Sequence, residues 1–564
     1  MFPGAAEAGT PGIDVSERFL TCQIPALTRP NASPPSSTRA RGCDTTETLM
    51  PPLLRPVVLW LLVALLPGCH AERPPPGITV LIEAPPESLD DRLTLSAMGQ
   101  RIAQLITPGL VTLDDTSTPV PDLAESFREL SPTLVELTLR PGLTFHDGSA
   151  LTAEDVKATY DSMWDAAIAS PRAERYAAVE RVEVVDARTV RFHLRRPYAP
   201  LLSELSLGIL PAERASAASK EVQGRAPIGA GPFRFESQPD EDHLTLVPFA
   251  GHYRGAPAIP RLHFRVVRDE TTRVLELLKG RADLVLNALS PAVLPALKRE
   301  PSLRVLTQAG TGFAYLGLNL RHGPLADARV RRALCHLVDV GPLVTYKFHG
   351  LAVPANGMLP RSHWAWAPVA GCRYDPKEAA RLLDEAGYPD PDGPGGAPRL
   401  SFQLKTSTDR FRRSVALVLQ EQLSRGGVAV EVRSLEFGTF FNDIRRGNFE
   451  LFTLKWASVI EPDLMRGAYH SGNVPTEANH WGGFNRGALR DEALDALLDE
   501  ASRVSTPERT ALYARAQERL DVLMPVVPLW HESSVAVASR RLQDFEPSAH
   551  GRFTPLALAR MVEP

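Results

Sequence analysis

The sequence is poor in cysteine, with five in 564 residues, and it contains no CxxC or HExxH arrangement. We therefore expect neither a structural zinc site nor a zincin-type metal centre. It also lacks the GxSxG nucleophile elbow of many hydrolases. A net charge of -4 leaves no basic excess of the kind that binds nucleic acid. These absences predict a protein without metal, cofactor or nucleic-acid partner, and not an enzyme.

Long hydrophobic runs are also scarce, and the longest, Val57 to Leu66, has ten residues. This is well below the roughly 20 residues that a membrane-spanning helix needs. A buried core helix is disfavoured because Pro67 and Gly68 follow at once. The ending Leu66-Pro67-Gly68-Cys69 resembles a bacterial lipobox, in which a signal peptidase cuts before the cysteine and the thiol carries diacylglycerol. We expect residues 50–69 to be a lipoprotein signal peptide and Cys69 to anchor an exported, periplasmic-side protein to a membrane.

Residues 1–49 are rich in proline, serine, threonine, alanine and glycine and show no apolar periodicity. Signal peptides normally begin within a few residues of the start of a chain. We therefore interpret this segment as a non-native or disordered extension and expect translation to start at Met50.

The remaining chain alternates short strands with helices, which is typical of an α/β fold. Strands are predicted at residues 78–82, 134–140 and 189–195 from their apolar or alternating patterns. Helix starts are predicted at Thr152, where Asp155 completes a capping box, and at Asp269, Asp375 and Thr506. A further helix over 414–424 precedes a strand at 428–432, and Pro525 and Pro528 predict an edge or crossover segment for VVPLW.

Two cysteines remain beyond the signal, Cys335 and Cys372. They could pair in an oxidising compartment. The pattern VRRALCHLV favours the alternative, in which Cys335 is a small buried thiol on a helix.

Many motifs follow one another in the order found in a known family. They include Pro121 to Ser126, the segment LTLRPGLTFHDG at 137–148 with LTAEDV at 151–156, PIGAGPF at 227–233, LLKGRAD at 277–283, LLDEAGY at 382–388 and PVVPL at 525–529. With them the chain resembles the family 5 extracellular solute-binding proteins of peptide and nickel ABC importers, over nearly everything after Cys69.

The resemblance implies a two-lobed periplasmic-binding-protein fold, type II and of the large cluster C kind, with an extra inserted domain. Lobe I is expected at 70–118, 225–308 and 526–564, the inserted domain at 119–224 and lobe II at 309–525, with crossings near 305–312 and 522–530. It implies a monomer that captures di- or oligopeptides between its lobes and delivers them to a membrane permease and its ATPases.

The resemblance also places three segments at the cleft. These contain the ligand-binding candidates Gly109 and Leu110, Gly229 and Gly231, and Trp456, Ala457 and Ser458. Trp456 could stack on a ligand or pack in the core with Phe452 and Leu454. Phe313 and Asn319 are further candidates, each with a structural alternative.

Peptide binders of this family often carry an aspartate three residues after that tryptophan, to pair with the ligand's free amine. Here the residue is Val459. Glu461 or Asp463 could supply the counter-charge instead, although Asp463 is also placed to cap the following helix. The departure leaves open a non-peptide solute, either an oligosaccharide or a nickel chelate.

Other roles have weaker support in the residues. His470 and His480 flank a polar loop but have no third ligand at a recognisable spacing. The acid pairs Asp90-Asp91 and Asp114-Asp115 could in principle serve a tethered hydrolase. Adjacent carboxylates on loops are more often solvated, so this alternative is disfavoured.

Overall fold

The computed structural model describes residues 77–94, 96–393 and 396–562. They belong to the second of two units into which the chain divides, Pro74–Pro564. The predicted extension, the signal peptide and Cys69 lie outside the described residues. No helix among those described is both long and apolar enough to cross a membrane.

The strands of the described residues fall in four sheets. In chain order they are β1 Ile78–Ile82, β2 Val111–Leu113, β3 Pro119–Pro121, β4 Ala124–Ser131, β5 Leu134–Leu139, β6 Val179–Asp186, β7 Thr189–Leu194, β8 Phe233–Asp240, β9 His243–Pro248, β10 Leu262–Val266, β11 Leu284–Leu286, β12 Leu303–Leu318, β13 Ala352–Pro354, β14 Leu400–Ser407, β15 Val428–Leu435, β16 Leu451–Trp456, β17 Val526–Ser539, β18 Leu542–Gln543 and β19 Arg560–Met561.

The helices lie between and around these strands. The α-helices are α1 Ala97–Ile106, α2 Ala153–Asp161, α3 Leu201–Glu204, α4 Ala212–Ala215, α5 Lys220–Arg225, α6 Glu270–Leu278, α7 Leu294–Leu297, α8 Ala328–Leu337, α9 Val340–Pro342, α10 Pro376–Glu385, α11 Arg410–Ser424, α12 Phe437–Arg446, α13 Leu464–Tyr469, α14 Glu492–Ala501 and α15 Thr506–Leu523. A π-helical turn covers Leu343–Lys347, and short 3-10 turns cover Ser162–Trp164, Ala173–Tyr176, Ala217–Ser219, Pro291–Val293, Gly323–Ala326, Ser471–Asn473, Glu477–Asn479 and Thr554–Ala557.

The largest sheet has eleven strands, in the order β15-β14-β16-β12-β17-β11-β1-β10-β9-β8, with β13 paired to β17. Its two halves share the long antiparallel pair β12 and β17, which runs from Leu303 opposite Ser539 to Gly317 opposite Val526. We call the half with β1 and β8–β11 lobe I and the half with β14–β16 lobe II. The two lobes are thus joined by two neighbouring strands.

The shared pair is irregular where it passes between the lobes. Its register shifts between Gln308 and Gly312, opposite Ser534 and Glu532. A Cβ at Gly310 would stand only 2.2 Å from the backbone oxygen of Glu532, so the two strands approach closely here. The shifted register interrupts the ladder of hydrogen bonds between the two strands here. On β12 the irregularity falls within residues 305–312, one of the two crossings expected from the sequence, and on β17 it lies at residues 532–534, next to the expected 522–530.

Each lobe has its own apolar core. In lobe I, Ile78, Val80 and Phe264 are buried in one cluster with Ile102 of α1. In lobe II, the core gathers residues of β12, β14 and β17 with those of helices α8, α10 and α11. The alternating apolar residues of the strands place these clusters between sheet and helices.

A separate antiparallel sheet, β4-β5-β7-β6, lies between β3 and β8 in the sequence. Its core includes Tyr160, whose ring meets Phe192 edge to face at 4.9 Å and Tyr176 edge to face at 5.5 Å between ring centroids. The predicted capping box at Thr152 and Asp155 is present and opens α2. We call this element the small sheet.

Several predictions made from local pattern are confirmed. Strands β1, β5, β7 and β15 and helices α2, α6, α10, α11 and α15 lie where expected. In α6, Leu275 and Leu278 are more than 40% exposed, whereas Arg273 is buried and donates to the backbone oxygens of Ala288 and Val267. VVPLW opens the shared strand β17, and Pro528 stands at a register shift, a position that tolerates a missing N–H.

Two interpretations of the sequence are wrong. Cys335 and Cys372 form a disulfide between α8 and the segment before α10, so Cys335 is not a free thiol. Asp90 and Asp91 are buried, not solvated: Asp90 pairs with Arg92 at 2.7 Å and Asp91 with Arg172 at 2.6 Å. Arg172 lies 81 positions from Asp91, and Cys372 lies 37 positions from Cys335, so the local pattern did not reveal these two pairings.

Candidate ligand-binding cleft

A cavity of about 1010 Å³ lies between the lobes, over the shared strands. Lobe I contributes Glu83, Arg101 and Asn287, and lobe II contributes Lys455 and Phe437. Ligand pockets are usually about 300 to 1000 Å³, so there is room for a small peptide. We call this cavity the cleft.

The floor of the cleft is formed by the irregular part of the shared strands, including Gly310–Gly312 and Ser533–Val535. Asn287, at the end of β11, has a left-handed backbone with φ of 56°. Its side-chain oxygen accepts a 2.7 Å hydrogen bond from the Val535 N–H, and its amide nitrogen donates to Ser534 Oγ at 3.3 Å. Asn287 thereby joins the end of β11 in lobe I to the part of β17 that passes between the lobes.

The lobe II wall is formed by β16 and the start of α11. Thr453, Leu454 and Lys455 of β16, and Ala457 just after the strand, line the cleft. Lys455 pairs with Glu532 at 2.6 Å, across to the shared strand. Asp409 caps α11 by accepting from the Arg412 N–H at 2.8 Å, and Arg410 and Arg412 follow it at the cleft.

His550 brings the C-terminal part of the chain to the cleft. It is buried, and burial lowers the pKa of its imidazole to about 3. The ring is therefore neutral at physiological pH, and its Nε2 lies 3.0 Å from the hydroxyl of Ser117. His550 contributes shape and a polar contact, but no charge.

Of the candidates on and after β16, Ala457 lines the cleft and Trp456 does not. The Trp456 ring packs against Phe484, with centroids 5.5 Å apart, and lies 5.5 Å from the Arg486 guanidinium. Ser458 shares a 2.7 Å hydrogen bond with Thr311, which lines the cleft. The Trp456 side chain thus packs within lobe II, and Ala457, which follows β16, lines the cleft.

Phe313 and Asn319, both on or after β12, lie within the protein. Phe313 is buried and stacks on Tyr315, which is itself buried and borders the cleft. The Asn319 amide donates to the backbone oxygens of Gly447 and Phe449. Both residues hold neighbouring backbone or side chains in position.

The glycine candidates are close-packing positions outside the cleft lining. A Cβ at Gly229 would stand 2.1 Å from the Ile106 oxygen, one at Gly231 2.3 Å from the Leu105 oxygen, and one at Gly109 2.5 Å from Ser206 backbone. Leu110 is buried next to Gly109, and its oxygen accepts from the Asp122 N–H. These residues bring separate backbone segments together behind the cleft.

The acidic candidates after β16 are occupied by protein partners. Glu461 accepts a 2.5 Å hydrogen bond from Arg509 and a 2.6 Å bond from Ser203 Oγ. Asp463 stands at the N-cap of α13 without making a side-chain cap bond, and burial beside Glu461 raises the pKa of its carboxyl to about 6. Val459 is buried, and its N–H donates to the Thr311 oxygen at 2.9 Å.

Sequence reasoning missed the charged residues of the cleft, Glu83, Arg101, Asp409, Arg410, Arg412, Lys455 and Glu532. They come from five separated segments, and none belongs to a motif. The one available signal was Arg101, a lone cation on an otherwise apolar and neutral helix, AMGQRIAQLI. No group of three or more His, Cys, Asp and Glu in the described part of the chain is arranged to hold a metal ion.

Comparisons with known proteins agree with this architecture. The model of the bacterial extracellular solute-binding proteins, family 5 Middle, matches residues 118–474. The chain is 29% identical over 512 residues to di/tripeptide-binding protein 2 of Pseudomonas aeruginosa, covering 84% of this chain and 92% of that protein. It is 26% identical over 502 residues to glutathione-binding protein GsiB of Escherichia coli (strain K12), covering 87% and 95%.

A solved structure gives the same result for the fold. NikZ from Campylobacter jejuni, in complex with Ni(L-His), is 25% identical with a TM-score of 0.71, and the match covers 86% of this chain and 98% of NikZ. The chain is therefore similar, over nearly the full length of these proteins, to binding proteins with different small ligands.

Proposed function

Because the chain belongs to the bacterial extracellular solute-binding proteins of family 5, we propose that it is the substrate-binding protein of an ABC importer and captures di- or oligopeptides between its lobes. The observation that carries this proposal is the cleft, a cavity of about 1010 Å³ whose walls come from both lobes. Its polar floor of backbone and hydroxyl groups suits strand-like pairing with a peptide backbone. The relatives named for di- and tripeptides and for glutathione support the same solute class.

Binding is coupled to movement of the lobes. A solute that contacts both walls stabilises the closed arrangement of the lobes. The permease then responds to the shift in the equilibrium between the open and closed arrangements. The irregular pairing between Gln308 and Gly312 supports a hinge at that point. We propose that the two lobes and the inserted domain have the boundaries given above and that the inserted domain contains the small sheet. Nothing in this cycle requires chemistry on the solute or a cofactor, and a monomer suffices for it.

Thermal-shift screening of residues 70–564 against peptide and sugar libraries tests the proposal. We expect peptides to raise the melting temperature, and Ala457→Trp to abolish that rise because the indole fills the cleft. Leu275→Trp is the control, since Leu275 is 44% exposed on α6 and lies outside the cleft lining. Stabilisation by sugars alone would overturn peptide capture.

A second candidate ligand class is a non-peptide solute, either an oligosaccharide or a nickel chelate. It is favoured by Val459, which replaces the amine-binding aspartate and is buried, and by the similarity to NikZ with Ni(L-His). In the same screen, a response to Ni²⁺ with histidine but not to peptides would support the chelate.

We further propose that the protein is exported, tethered through a lipid on Cys69, and works beside its permease and ATPases. The Cys335–Cys372 disulfide supports an oxidising compartment. Expression from Met50 with labelled palmitate should give a labelled, exported protein, and Cys69→Ala should lose the label. Persistence of the label in that variant would overturn the anchor.

A further inference from the structure

Arg101 lies at the lobe I wall of the cleft. It belongs to α1, whose other face buries Met98, Ile102 and Leu105 in the lobe I core. A Cβ at Gly551 would stand 3.3 Å from an Nη atom of Arg101 and 2.3 Å from Nδ2 of Asn287, so the guanidinium and this amide border one glycine. The absence of a side chain at Gly551 therefore leaves space in front of both donors.

The Arg101 guanidinium is half-buried but has no hydrogen-bond acceptor among the described residues. Burial lowers its pKa, and Glu83 opposes this effect only through space. Arg92, by contrast, is fully buried and donates to Asp90 and Ser162. An arginine that is partly desolvated and unpaired is costly unless something else supplies the acceptor.

The charges around the cleft also favour an anionic ligand. Four cationic side chains and three carboxylates line the cleft. The cations are Arg101, Arg410, Arg412 and Lys455, and the carboxylates are Glu83, Asp409 and Glu532. Two of the three carboxylates are already engaged, Glu532 by Lys455 and Asp409 by the N-terminus of α11. The three arginines therefore share the cleft with only one carboxylate, Glu83, that makes no ion pair or helix cap among the described residues.

We propose that Arg101 is a specificity-determining residue that binds a carboxylate of the captured solute, with the Asn287 amide beside it. The guanidinium fork matches a carboxylate in a bidentate geometry, and the amide has a second hydrogen beyond the one given to Ser534. This inference rests on the proposed capture of a solute in the cleft and narrows the ligand to carboxylate-bearing peptides or peptide-like acids.

The test uses residues 70–564 and two tripeptide libraries without Asp or Glu, one with free carboxyl termini and one amidated. We expect the free-acid library to bind at least about 30-fold more tightly, and Arg101→Gln to remove that advantage. Arg101→Lys should recover part of it, because a point charge replaces the fork. Arg413→Gln is the control, since Arg413 is an exposed arginine on α11 outside the cleft lining.

Equal binding of the two libraries, or an unchanged preference in Arg101→Gln, would overturn the role of Arg101 while peptide capture stands. Binding of neither library would overturn peptide capture. Sugar acids and their neutral sugars then decide the role of Arg101: a preference for the acid that Arg101→Gln removes supports it, and equal binding rejects it.

Discussion

The hydroxyl of Ser203 donates a 2.6 Å hydrogen bond to the carboxylate of Glu461, although 258 positions separate the two residues. Ser203 follows the small sheet, and Glu461 follows β16 of lobe II. Next to them the Ala199 N–H donates to the Ser502 oxygen at 2.9 Å. These two bonds connect the small-sheet part of the chain to lobe II directly, independently of the shared strands.

We expect Ser203→Ala to favour a more open arrangement of the lobes. Glu461 keeps its bond from Arg509, so lobe II should remain folded, and the loss is one bond of about 1 kcal/mol. X-ray scattering of the ligand-free protein should give a larger radius of gyration. Ser206→Ala is the control, because the Ser206 hydroxyl donates only locally, to the Ser203 oxygen. Identical scattering from all three proteins would show that the bond does not bias the lobes.

Asp463 should make stability depend on pH. Burial and the neighbouring Glu461 raise the pKa of its carboxyl to about 6 from 3.8, so the folded protein holds the proton more tightly than the unfolded chain. The resulting stabilisation is complete below about pH 3.8 and is lost as the pH rises through about 6. Asp463→Asn should therefore stabilise the protein at pH 7, by about 1–3 kcal/mol, and have little effect near pH 4.

Denaturant unfolding at pH 4 and pH 7 measures both arms of this prediction. Asp161→Asn serves as the comparison, since that exposed carboxylate pairs with Lys157 on α2. If Asp463→Asn shifted stability equally at the two pH values, the effect could not come from titration of Asp463.

Removing the disulfide should destabilise lobe II. The bond closes a loop of 37 residues between Cys335 and Cys372, for which loop-closure entropy gives about 4 kcal/mol. The double variant Cys335→Ser with Cys372→Ser should unfold at lower denaturant than the oxidised protein. Reductant should shift the wild-type protein similarly and leave the variant unchanged. A reductant effect on the variant would contradict this assignment.

Gly229→Ala distinguishes a packing role from a ligand contact. The new Cβ would stand 2.1 Å from the Ile106 oxygen, a backbone atom that cannot turn away. We expect the free energy of unfolding to fall by about 1–3 kcal/mol. Gly323→Ala is the matched control, because a Cβ there meets nothing within 4 Å. Unchanged stability with lost ligand binding would instead place Gly229 in contact with the solute.

Local pattern predicted much of the fold. The alternation of Val135, Leu137 and Leu139 placed β5, and the capping box at Thr152 and Asp155 placed the start of α2. These signals work because strand and cap geometry depend on residues close in sequence. The ordered motifs also indicated the family and its two-lobed fold.

The same local signals were less informative about the cleft. Trp456 and Ala457 are neighbours, yet only Ala457 lines the cleft, and the family position alone did not say which of the two would do so. Arg101 stands beside Gly551 only because the sheet brings α1 and the C-terminal segment together.

The sequence by itself determined the strands, the helix caps and the family, because each depends on neighbouring residues or on ordered motifs. Only the tertiary structure decided which charged groups have a partner. Asp91 pairs with Arg172 and Glu461 pairs with Arg509, whereas Arg101 has no hydrogen-bond acceptor among the described residues. The physical reason is that burial and ion pairing are set by residues tens to hundreds of positions apart, and no local pattern encodes that distance.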